Sequence, residues 1–87
     1  MAITYSKAFK RDLTKWILVT VSPEFIEVMF LLQRKHPLPE KYKDHALKGN
    51  WHGFRDCHIG NDLVLIYQYQ GEDLYLARLN THSEVFS

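Results

Sequence analysis

A single cysteine, Cys57, stands among 87 residues, with only four glycines and three prolines. One thiol cannot close an internal disulfide, which excludes the cystine-stapled secreted scaffolds and points to a reducing compartment. No apolar run approaches the ~20 residues of a membrane span. The Met1–Tyr5 start is too short and polar to read as a signal peptide, so a cytoplasmic protein with no membrane partner is expected. A Gly-rich phosphate loop and a Gly-x-Ser-x-Gly elbow are both missing, which leaves P-loop hydrolysis and serine-elbow acyl transfer unsupported. Excess charge of one sign is missing too: 11 Lys+Arg face 10 Asp+Glu, far from the strongly basic balance of a typical nucleic-acid binder.

What is present is an ordinary globular composition, 46% apolar and 14% aromatic, which sets aside disordered and low-complexity readings. The length allows one domain, residues 1–87, with a thin core. Positive charge gathers from the middle onward, at Lys35, Lys41, Lys43, Lys48 and Arg55, so a local basic face is possible and a global one is not.

The spacing predicts a helix from an N-cap at Ser6 to about Leu18, with Phe9, Leu13, Trp16 and Ile17 on one side. Ser22-Pro23-Glu24 signals a second helix running to about Lys35, before Pro37. Phe25, Ile26, Val28, Met29, Phe30, Leu31 and Leu32 make that helix apolar almost all round, which means either deep burial or a surface for a partner. His36 to about Asn50 shows no periodicity and reads as a long loop. Trp51–Ile59 alternates as a strand. Trp51, Gly53, Arg55 and Cys57 fall on one face, and His52, Phe54, Asp56 and His58 on the other. Turn signals at Gly60-Asn61 and Gln70–Asp73 then frame strands at Leu63–Tyr69 and Leu74–Leu79, and Asn80–Ser87 reads as a polar tail. The expected fold class is α+β: two N-terminal helices packed on one face of a small antiparallel β-sheet.

Histidine and acid carry the chemistry. His45 lies in the loop, Asp56 and His58 point the same way from one strand, and His82 follows the last strand. Imidazole titrates where acid–base catalysis works best, and a carboxylate two residues away can orient the ring. The plainer alternative is a set of surface histidines and an incidental strand pair. His45, His58, His82 and Asp56 have zinc-ligand chemistry. Paired-Cys, His-x-His and His-x₃-His spacings are nevertheless absent, so no metal and no cofactor are expected. Cys57 should face the helices and is not a nucleophile candidate.

The runs Tyr42-Lys43-Asp44-His45-Ala46-Leu47-Lys48-Gly49-Asn50-Trp51, Phe54-Arg55-Asp56-Cys57-His58-Ile59, Asp62-Leu63-Val64-Leu65-Ile66-Tyr67 and Arg78-Leu79-Asn80-Thr81-His82-Ser83-Glu84-Val85-Phe86 together resemble the YafQ-type branch of the RelE toxin superfamily. The resemblance implies a toxin of a type II toxin–antitoxin system that cuts mRNA in the A site of the 70S ribosome. It also implies neutralisation by a cognate antitoxin and contact with operator DNA only through the antitoxin complex. It places catalytic positions on His45, His58 and His82, with Asp56 and Asp62 matching acidic positions and Phe86 the aromatic near the end. His82 falls at the proton donor's place. Lys43, Lys48, Arg55 and Arg78 are candidates for phosphate contact, and Phe86 for stacking on a base. Leu63 and Asn80 depart from the pattern, where relatives carry Trp and Gly. The alternative is a toxin-fold binding protein, weak or inactive as a catalyst, acting mainly in a repressing antitoxin complex.

Overall fold

The Ser6 hydroxyl accepts from the Phe9 N–H at 2.9 Å and opens helix α1 (Lys7–Lys15). The Ser22 hydroxyl does the same for Phe25 at 3.2 Å, and Pro23 begins helix α2 (Pro23–Gln33). α1 stops short of the expected Leu18. The β-branched residues Ile17, Val19, Thr20 and Val21 crowd an α-turn, and Ile17–Val21 tightens into a 3₁₀ turn. The computed structural model describes residues 2–86.

Five strands follow the order β1-β5-β4-β3-β2, with β1 at Ile3–Tyr5, β2 at His45–Ala46, β3 at Arg55–His58, β4 at Leu63–Gln70 and β5 at Asp73–Thr81. β1 pairs with β5 in parallel, so the sheet is mixed rather than wholly antiparallel. Both N-terminal helices lie between β1 and the rest of the sheet in sequence, which supplies the long crossover that a parallel pair needs.

The expected loop from His36 to Asn50 is partly ordered. It contains 3₁₀ turns at Glu40–Tyr42 and Gly49–Trp51 and the two-residue strand β2. The expected strand from Trp51 shortens to Arg55–His58, because Gly53 takes φ +93° and turns the chain before β3 begins. Trp51 therefore joins Phe54 on the side expected to exclude it, their rings 5.3 Å apart edge to face. The tail is also ordered: Asn80 and Thr81 extend β5, and His82–Phe86 form a third helix, α3.

The helices are thus not confined to one face. Phe9, Phe25, Val28 and Leu32 pack on Cys57, Leu65, Leu74 and Leu79, while Val85 of α3 closes a smaller cluster with Val64, Ile66 and Ala77. Val64–Tyr67 is buried throughout, as a strand covered on both faces must be. Cys57 is fully buried on the helix side, and burial pushes its thiol well above the ordinary range, which leaves no thiolate for nucleophilic work.

β1 covers β5 only along Leu74–Leu76, and α1 takes over the exposed edge. The Ser6 N–H donates to the Leu76 carbonyl at 3.0 Å, and Asp12 Oδ2 accepts from the Leu79 N–H at 3.0 Å. Asp12 also holds Arg78 (2.7 Å) and the Asn80 amide (2.9 Å). Burial pulls the Asp12 pKa upward, yet these donors outweigh it and lower the value overall. A depressed carboxylate stabilises the fold above the ordinary carboxylate range and loses that contribution as pH falls through the lowered value. Asp12→Asn should therefore cost about 1–3 kcal/mol in urea unfolding at pH 7. The difference from wild type should shrink as the pH is taken towards 2; a constant difference would rule out the charge as its source.

Candidate active site

β2 and β3 bring the first two groups together by register. His45 stands opposite Asp56, so their side chains share the sheet face that carries α3. His58, two residues beyond Asp56, points the same way. A left-handed turn at Lys43 (φ 51°) swings its carbonyl beneath the His45 ring. Nδ1 of His45 then lies 2.8 Å from the Lys43 oxygen and 3.0 Å from Asp56 Oδ1. Two acceptors at one nitrogen require a proton there, which leaves Nε2 of the neutral ring as the basic atom. That N–H is aimed at the carbonyl, so the Asp56 contact is electrostatic and Oδ1 has no aligned donor. It is the one buried side-chain oxygen or nitrogen among the described residues left without a hydrogen-bond partner.

Asp56 is 1% exposed. Burial raises its pKa, and the nearby His45, His58 and His82, in decreasing order of effect, pull the other way. The electrostatic environment of this one carboxylate therefore includes all three histidines. His82 begins α3, its N–H donating to the Asp62 carbonyl at 3.1 Å and its ring centred 4.7 Å from that of Phe86. Register thus puts His45, Asp56 and His58 on one sheet face, and His82 begins the helix that packs there; the 3.0 Å contact within the set is His45 with Asp56.

The remaining candidates divide. The Asp62 side chain is exposed, and its hydrogen bond to His82 comes from the backbone. Phe86 is half-buried against the smaller cluster and against His82. Lys43 and Lys48 are exposed. Arg55 instead lies on the helix side of the sheet with Cys57, where it forks onto Asp44 at 2.9 and 3.3 Å, an acid that also accepts from the Tyr67 hydroxyl. Arg78 is spent on Asp12. Both arginines hold elements together through these acids, with the Arg55 side chain still 42% exposed. Asp12 is a buried structural acid with a visible signal: it sits on the Phe9, Leu13, Trp16 stripe, where an acid needs a buried partner. Asp44 carried no such signal.

A mixed five-stranded sheet crossed by two N-terminal helices, with a short C-terminal helix packed on its other face, is the α+β arrangement of RelE-like structures. A family model describing YafQ, a bacterial toxin of type II toxin–antitoxin systems, matches residues 1–87, and the chain belongs to that family. A Haemophilus influenzae protein named as a candidate toxin YafQ is 46% identical over 92 residues, covering 97% of this chain and 90% of its own. The mRNA interferase toxin YafQ of Escherichia coli K12 is 43% identical over 56 residues, 64% of this chain and 61% of its own. Among solved structures, a metal-bound toxin from Helicobacter pylori superposes with a TM-score of 0.85 at 39% identity, covering 99% of each chain. The E. coli DinJ–YafQ toxin–antitoxin complex matches with a TM-score of 0.82 at 34% identity, covering 98% of this chain and 96% of that one. Among the described residues no three His, Cys, Asp or Glu side chains are grouped to hold a metal ion.

Proposed function

We propose that this protein is a ribosome-dependent endoribonuclease that cuts mRNA in the A site through its own side chains. The observation that carries the reading is His45 held 3.0 Å from the buried Asp56, on the sheet face that His58 shares and that the helix beginning at His82 covers. Cleavage by internal transfer requires a base to remove the 2′-OH proton, so that this oxygen attacks the adjacent phosphorus. An acid then protonates the departing 5′-oxygen, leaving a cyclic phosphate. His45 Nε2 is the better placed base, because its other nitrogen is held by the Lys43 carbonyl with the Asp56 carboxylate 3.0 Å away. His58 remains the second candidate. His82 is the acid, and Asp56 steadies the imidazolium that forms beside it. Lys43 and Lys48 are exposed cations that supply charge to the phosphate, and Phe86 offers a ring edge to a base.

A cleavage assay on programmed 70S ribosomes with mapped 5′ ends tests the activity; ribosome binding without new 5′ ends would favour the binding-protein alternative. The chemistry assigned to histidine should persist in excess chelator at Mg²⁺ levels that keep ribosomes intact. Loss on stripping zinc alone, with recovery on adding it back, would overturn the side-chain mechanism.

The antitoxin reading rests on apolar surface that the fold leaves open. Ile17, Leu18, Val21, Ile26 and Phe30 are each more than half exposed, at 55, 79, 70, 54 and 52%. A groove of about 450 Å³ runs beside them, lined by Phe25, Met29 and Arg34 among others. A helical antitoxin segment with apolar anchors suits it. Adding the cognate antitoxin should slow amide exchange along Ile17–Gln33, whereas protection absent from helices, loop and C-terminus alike would contradict a wrapped toxin.

A further inference from the structure

Asn80 closes a buried hydrogen-bond network between α1 and the residue before His82. Its Oδ1 accepts from the Thr81 N–H at 2.8 Å and from Trp16 Nε1 at 3.2 Å, and its Nδ2 donates to Asp12 Oδ1 at 2.9 Å. Asn80 and Asp12 are each 5% exposed, and Asp12 is pinned in turn by Arg78 and the Leu79 N–H. Thr81 passes the constraint on, its Oγ1 accepting from the Glu84 N–H at 3.3 Å inside α3. A five-residue helix has no stability of its own, so its direction is set by what holds its ends. One end is the Asn80–Thr81 anchor; the other is Val85 and Phe86 packed on the sheet.

We propose that Asn80 is a positioning residue for His82: with Asp12 and Trp16 it fixes the handover from β5 to α3 and so the place of the imidazole relative to Asp56. The proposal rests on His82 being the acid, and it extends that reading to a network that touches no substrate. Misplacing a reacting group by about 1 Å costs on the order of 10²-fold. Asn80→Ala removes both roles of the amide while leaving Asp12 its bonds to Arg78 and Leu79.

The test is a double-mutant cycle in single-turnover cleavage on programmed ribosomes, with amide exchange measured on the free protein. Asn80→Ala should lose ~10²-fold in rate with ribosome affinity unchanged, and exchange at Thr81–Glu84 should accelerate. In a His82→Ala background it should cost nothing further, because it acts only through that ring. Trp16→Phe, which keeps the packing and deletes one donor, should move rate and exchange the same way by less, and it takes over if Asn80→Ala does not fold. Equal losses in both backgrounds, or wild-type rate and exchange, overturn the proposal. A silent His82→Ala beside accelerated exchange in Asn80→Ala overturns the acid assignment and supports the anchoring of α3.

Discussion

Replacing His82 by alanine should lower the single-turnover rate of mRNA cleavage by about 10²–10⁴-fold, the contribution typical of a general acid. The ring is exposed and its intramolecular contact is with Phe86, so stability should change by about 1 kcal/mol or less. Ribosome binding should survive, because no Lys or Arg is removed. His82→Gln separates proton donation from positioning: it keeps a hydrogen-bond donor but cannot give up a proton at pH 7. It should be nearly as inactive as alanine. If glutamine restores most of the rate, His82 holds the RNA, and the acid must be sought at His45 or His58.

Asp56→Asn should move activity and stability in opposite directions. Without a negative charge beside three imidazoles, the cluster loses the group that steadies a charged ring, and cleavage should fall by about 10²–10⁴-fold. Stability at pH 7 should rise by about 1 kcal/mol, because an ionised, nearly dry carboxylate with an unpartnered oxygen is costly to keep. The sign follows from the raised pKa. A group whose folded pKa lies above its unfolded value stabilises the fold in its protonated form, and that benefit is lost as pH rises through the folded value. The advantage of asparagine should therefore be absent in acid, appear from about pH 4 upward and become constant once Asp56 is fully ionised. Thermal unfolding across that range checks it. An Asp56→Asn protein that is less stable at neutral pH would mean that the carboxylate is well paired, and the argument from its orphaned oxygen would fail.

Local signals were legible wherever one residue type admits few roles. Ser6 and Ser22 marked helix starts, Gly60-Asn61 marked a turn, and the period-two pattern put Asp56 and His58 on one face with Cys57 opposite. Each follows from bonds or geometry within a few residues. The third helix was hidden because a five-residue segment has no periodicity to show, and its order comes from Val85 entering a core built by β4 and β5. Strand β2 was hidden for a related reason: two residues carry no pattern, and they become a strand only when Arg55–Asp56 lies alongside.

The sequence by itself determined which groups were available for chemistry: a surplus of histidine, one strand acid beside one of them, and a lone cysteine that cannot close an internal disulfide. It also determined the helix caps and the face on which Asp56 lies. The tertiary structure alone decided which of the candidate cations are paired. Arg55 and Arg78 look like Lys43 and Lys48 in sequence, yet each arginine meets a carboxylate from a distant element, Asp44 and Asp12. It also decided that His45, from a segment that reads as loop, lies 3.0 Å from Asp56 across β2 and β3. Charges pair and rings converge according to distance in space, and that distance is set by the packing of the whole sheet against its helices.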